Sequence, residues 1–231
     1  NAACGVSGQK YYTEGAIQAF NLVFTSIPIV CYAIYDQDLV LYNTKYPQLY
    51  RDCIKNEYFT STVFWNWIGH AIFESVLVAL MPLAILQKSD IHTGTLSTFW
   101  EAGALAYTAI IIICNLKMLF IQHRWYPFSI CFLILSILSW FLVAWVLNSS
   151  TWFDYEFYMV WNRVLGIPSF WYGLLLIVTL IFSKDLYLAG NASFSTNSSA
   201  VKLRKVNRCI YLYIYLYIYV CMCIYIVVVC I

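Results

Sequence analysis

Near the start of the chain, Asn21, Thr25, Ser26 and Pro28 set an amide, two hydroxyls and a missing backbone donor inside an otherwise apolar run. Asn21, Thr25 and Pro28 are spaced four and three apart, which places them on one face of a helix. Pro28 has no N–H to offer the carbonyl of Phe24, so that oxygen is released from the helical ladder. An amide, two hydroxyls and a freed carbonyl make a polar notch of the kind that holds ions or polar head groups in transporters. The alternative is a proline kink whose freed carbonyl is met by Thr25 or by a neighbouring helix.

A second constellation is His70 and Glu74, also four apart, with Asn66 one turn earlier. A metal site needs more ligands than this pair and a proton relay needs a third group, so the pair reads as a His–Glu hydrogen bond facing other helices. Glu101 is expected to reach the membrane interface, Lys117 to snorkel towards it, and Asn115 to make a polar contact across helices. The stretch His92-Thr93-Gly94-Thr95 looks like the end of a phosphorylation motif, but Ile91 stands where the phosphorylated Asp belongs, and without a carboxylate there is no nucleophile. No catalytic and no metal-binding residue is expected.

The elements that position these residues follow from composition. Of 231 residues, 62% are hydrophobic and only 10% charged, against ~25% charged in soluble domains. The apolar residues fall in blocks at about 16–34, 63–86, 98–121, 128–147 and 166–183, each long enough to cross a hydrocarbon layer as a helix. The expected fold is therefore an all-α membrane protein, a bundle of five transmembrane helices. The 13 Lys and Arg nearly balance the 11 Asp and Glu, which gives no attraction to nucleic acid. Cysteines scattered through the apolar blocks read as small buried hydrophobes.

Placing the loop after the first helix in the cytoplasm gathers Lys45, Arg51, Lys55, Lys117, Arg124 and the basic residues from Lys184 to Arg208 on that side. Lys10, Lys88 and Arg163 remain on the other, so the N-terminus is outer or lumenal and residues 184–208 are cytoplasmic. The outer loop 148–168 carries Trp152, Phe153, Tyr155, Phe157, Tyr158 and Trp161, which reads as an interfacial aromatic belt or a docking surface. The sequon at Asn148 abuts a helix end, where glycosylation is expected to be poor. Residues 191–208 read as a polar, basic linker. The tail 209–231 alternates Tyr with Ile and Leu. It is read either as a sixth hydrophobic segment or as translated repetitive DNA at a mis-assigned gene end.

The runs Ser7-Gly8-Gln9-Lys10-Tyr11-Tyr12, Phe20-Asn21-Leu22-Val23-Phe24-Thr25-Ser26-Ile27-Pro28, Tyr35-Asp36-Gln37-Asp38-Leu39 and Tyr46-Pro47-Gln48-Leu49-Tyr50, in this order, resemble the phospholipid-flipping (type IV) P-type ATPases. Asn115-Leu116-Lys117 and Lys184-Asp185 fit the same pattern, whereas Glu74-Ser75 stands where many members have His-Ser. The resemblance covers about residues 5–190, the family's sixth to tenth membrane helices. It implies part of an ATP-driven flippase that moves phospholipid from the outer to the cytoplasmic leaflet, with Asn21, Thr25, Ser26 and Pro28 along the lipid path. Neutral amide and hydroxyl groups suit that role, since they replace water around a zwitterionic head group without trapping it as a full charge would.

The resemblance further implies that Asp36, Gln37, Asp38 and Pro47 form a cytoplasmic coupling loop. It also implies partners: the remaining domains of the pump, which use ATP and Mg, and a two-span beta subunit against the outer loops and last helix. No cofactor is expected in this chain, which lacks the phosphorylation and nucleotide-binding domains and is expected to be inactive alone. The alternative is a non-catalytic interaction module derived from a flippase that binds a beta subunit or partner pump. Neither the lipid selected nor the membrane occupied follows from these residues.

Overall fold

The computed structural model describes residues 11–36, 61–86, 99–122, 125–149 and 157–195. Gln37, Asp38, Pro47, the stretch 92–95 and the tail 209–231 lie outside the described residues. Every regular element among those described is helical. Helix α1 (Glu14–Ala19) passes through a π-helical turn (Phe20–Phe24) into α2 (Ser26–Tyr35). Then follow α3 (Ser61–Leu86), α4 (Phe99–Ile121), α5 (Pro127–Ser149), a short α6 (Val160–Leu165) and α7 (Pro168–Ser195). Five stretches are long and apolar enough to span a membrane: Glu14–Tyr35, Ser61–Leu86, Phe99–Ile121, Pro127–Ser149 and Pro168–Asn191. Helices satisfy the backbone internally, which lipid cannot do for an open strand. The last helix continues past Lys184 and Asp185, beyond the end at Ser183 that the apolar run suggested.

The described residues belong to two compact units, one drawn from Asn1–Asp36 and Ala71–Phe182, the other from Gln37–His70 and Ser183–Ile231. The second unit holds the first turns of α3, where Phe64, Trp65 and Trp67 are exposed, and the end of α7, where Lys184 and Asp185 pair at 3.2 Å. All five spans contribute to the first unit, and its centre is α4. Every residue from Glu101 to Ala109 is buried, and most are small: Ala102, Gly103, Ala104, Ala106 and Ala109. In lipid, apolar surface alone does not drive helices together, so close packing on small residues takes that place.

Gly103 shows how tight the packing is. A Cβ at this position would lie 2.1 Å from the backbone carbonyl oxygen of Tyr11, closer than any van der Waals contact. Gly103→Ala is therefore expected to push the N-terminal segment off α4 at a cost of ~3 kcal/mol, the upper end for overpacking because the obstacle is backbone. Gly69→Ala, where nothing lies within 4 Å, is the control and should be neutral or slightly stabilising. Thermal melting of the detergent-solubilised protein reads both. On the other side of α4, Gly173 of α7 accepts Leu105 and Ile85, whose methyl groups stand 3.1 to 3.3 Å from where its Cβ would be.

Candidate functional site

The polar segment of the first span is not a continuous α-helix. Between Phe20 and Phe24 the turn is π-helical, and Thr25, at φ −124°, breaks the helix before α2 begins. Side chains fill the gaps this leaves. The Thr25 hydroxyl donates to the Phe20 carbonyl at 3.0 Å and the Ser26 hydroxyl to the Leu22 carbonyl at 2.5 Å. Ile29 sends its N–H to Thr25 O at 3.4 Å. Phe24 O, which Pro28 cannot serve, receives the hydroxyl of Ser136 from α5. The freed carbonyl is thus met from a neighbouring helix.

This geometry changes how the four residues are displayed. With α-helical spacing Asn21, Thr25 and Pro28 would share a face; the wider π turn rotates them apart. Asn21 is exposed on the surface of the unit, Thr25 and Ser26 are half-buried and spend their hydroxyls on their own backbone, and Pro28 is buried. Asn21 alone presents its side chain outward, about 5 Å along the axis from the midpoint of the span.

An aromatic cluster holds the turn from behind. Phe24 is fully buried, edge-on to Trp140 with ring centres 5.7 Å apart and to Tyr107 at 6.5 Å. Trp140 is fixed by its indole N–H, which donates to Thr108 Oγ1 at 3.0 Å, and Thr108 in turn donates to Ala104 O at 2.7 Å. The Tyr107 hydroxyl donates to Ala16 O at 2.5 Å, pinning α1 just before the π turn. Ser136 and Trp140 lie one turn apart on α5, so the same face meets both the carbonyl and the ring of Phe24. Sequence reasoning missed Ser136, Tyr107 and Trp140 as contributors to this site; the available signal was a pair of serines, Ser136 and Ser139, next to a Trp in an otherwise apolar helix.

Below α1, the phenols of Tyr11 and Tyr12 are pushed above their ordinary range, chiefly by burial and, for Tyr11, by its neighbour Tyr12. They stay neutral, and Tyr11 donates to Ala79 O at 3.4 Å.

The other polar candidates lie elsewhere. Glu74 of α3 forms an ion pair with Lys117 of α4, a partner that spacing within α3 did not reveal; His70 is exposed. Asn115 is buried, and its amide donates to Ile111 O of its own helix at 2.9 Å rather than across helices. Glu101, expected at the interface, is only 1% exposed and faces Arg163 at 3.5 Å. The short helix α6 lies close against α4 and brings the arginine there. Asp36 closes α2 with its N–H on Tyr32 O at 3.0 Å.

The aromatic belt expected over 148–168 is also revised where the structure describes it. Tyr158 is exposed, but Phe157 and Trp161 are core residues, Trp161 being edge-on to Trp140 at 5.8 Å. The Asn148 side-chain oxygen accepts the backbone N–H of Trp161 at 3.0 Å and the residue is buried, which leaves it a poor glycosylation acceptor. Met159, in the left-handed region at φ 64°, turns the chain into α6 and so sets Phe157 and Trp161 into the core.

A family model described as phospholipid-translocating P-type ATPase C-terminal matches residues 1–198. Among curated proteins, the chain is 28% identical over 184 residues to phospholipid-transporting ATPase C887.12 of Schizosaccharomyces pombe, covering 78% of this chain and 15% of that protein. It is 27% identical over 192 residues to phospholipid-transporting ATPase IH of Mus musculus, covering 79% and 16%. It is 31% identical over 169 residues to phospholipid-transporting ATPase DNF1 of Saccharomyces cerevisiae, covering 71% and 11%. The chain therefore spans less than a fifth of the length of the relatives it matches.

Proposed function

Because the chain belongs to the phospholipid-translocating P-type ATPase C-terminal family, we propose that it supplies one wall of a phospholipid path and the helices that brace it, within a longer ATP-driven pump. The observation that carries this reading is Asn21. An amide exposed on a span at this depth is costly against acyl chains, and it is held there by a π turn, a geometry that recurs at functional sites. The proposal gives that face a hydrophilic cleft, closed by helices outside this chain, in which the amide exchanges hydrogen bonds with a passing head group. In this reading the N-terminus is outer, in keeping with the distribution of Lys and Arg, and transport runs from the outer to the cytoplasmic leaflet.

The chemistry that drives the passage lies in domains outside this segment. Among the described residues no group of three or more His, Cys, Asp or Glu side chains could hold a metal ion. The coupling role of Asp36, Gln37, Asp38 and Pro47, and contact of the outer loop and last helix with a two-span beta subunit, belong to the same proposal.

In the full-length pump, Asn21→Ala is expected to raise the phospholipid concentration for half-maximal ATP turnover, and so to lower turnover at sub-saturating lipid, about tenfold, the equivalent of ~1.4 kcal/mol and near the upper end for one hydrogen bond. Phosphorylation from ATP in the absence of lipid should be nearly unchanged. An equal phospholipid response in variant and parent would mean that Asn21 touches no head group.

A further inference from the structure

We propose that Ser136 is a positioning residue for the lipid path, acting through the π turn that carries Asn21; this rests on the reading of Asn21 just given. Phe24 O is buried at membrane depth, and a carbonyl without a donor there is expensive. Its α-helical donor would be residue 28, which is proline, and the N–H of Ile29 is committed to Thr25 O. The hydroxyl of Ser136 fills the vacancy from another helix.

That bond is aimed at a particular conformation. If Phe24 O had no external donor, the segment would gain by rewinding or sliding to find one, and the register of residues 20–24 would change. Rotating a π turn back to α moves Asn21 around the helix relative to Pro28, which is buried and fixed. Ser136 thus holds Asn21 outward although its own hydroxyl points into the core. The second grip on the same residue, the Trp140 ring against Phe24, fixes position but supplies nothing to the carbonyl. Of the two grips on Phe24 from α5, the Ser136 hydroxyl is the one that meets the carbonyl.

The test uses the full-length pump. Ser136→Ala is expected to raise the phospholipid concentration for half-maximal ATP turnover about tenfold, while phosphorylation from ATP without lipid stays within about twofold. Ser136→Thr keeps the hydroxyl and should remain near the parent. A purely structural serine would lower all partial reactions together, so the decisive reading is the pairing with Asn21. If Ser136 works through Asn21, the double variant Asn21→Ala with Ser136→Ala is no worse than Asn21→Ala alone.

An unchanged half-saturation in Ser136→Ala, or losses that multiply in the double variant, overturns the inference. Insensitivity of Asn21→Ala itself removes the head-group reading and this inference with it. A sensitive Asn21 beside an insensitive Ser136 removes only the inference. Should Ser136→Ala fail to accumulate, Ser136→Cys keeps the volume with a weaker donor and carries the same measurement: a raised half-saturation supports the role and a parental one overturns it.

Discussion

Trp140→Ala is expected to destabilise the helical unit by about 3–5 kcal/mol, the range for truncating a buried Trp. The indole is 1% exposed and touches three other rings, Phe24, Tyr107 and Trp161, at centre separations of 5.7, 4.6 and 5.8 Å. These belong to three separate elements, the π turn, α4 and α6, so no single neighbour can relax into the space left behind. Its N–H also donates to Thr108. Trp140→Phe separates the contributions: it keeps most ring contacts, loses the donor, and should cost only ~1–2 kcal/mol. Thermal melting in detergent, followed by loss of monodisperse protein, should rank parent above Trp140→Phe above Trp140→Ala. A Trp140→Ala protein that melts with the parent would show that the ring cluster does not hold the turn.

What could be read from the sequence, and what could not, divides along one physical line. The five spans were legible because lipid demands about twenty apolar residues per helix and polar loops between them, a pattern that composition alone displays. Which face of each span looks inward was not legible. Acyl chains are as apolar as the core, so an inward Ala102 and an outward Leu142 differ little in the sequence pattern. The same ambiguity misplaced Glu101, whose partner Arg163 lies 62 residues away, and turned Phe157 and Trp161 into a supposed belt.

At the candidate site, Pro28 announced in advance that Phe24 O would need a donor, because that follows from covalent structure. It did not announce which helix would provide it, and nothing in residues 20–24 marks a π turn. The shared face assigned to Asn21, Thr25 and Pro28 failed for that reason: a spacing argument holds only while the helix keeps its α-helical period.

The Glu74–Lys117 pair is expected to respond asymmetrically to loss of either partner. The two side chains are 14% and 31% exposed within the chain, on helices far apart in sequence. Lys117 lies one turn from the end of α4, so a lysine that loses its partner can extend its stem towards the interface. Glu74 sits near the middle of α3 on a short side chain with no such route. Lys117→Met therefore takes the cation away from a half-buried carboxylate and should cost about 2 kcal/mol, below the range for breaking a fully buried pair because both side chains keep some exposure. Glu74→Gln should cost roughly 1 kcal/mol, since the lysine can relocate and the amide can still hydrogen-bond. Replacing both, as Lys117→Met with Glu74→Leu, should recover most of the loss, because an apolar pair of similar volume avoids desolvating either charge. Thermal melting of the single variants and the double variant yields the coupling directly. Equal damage from the two single variants would mean that Lys117 is as confined as Glu74.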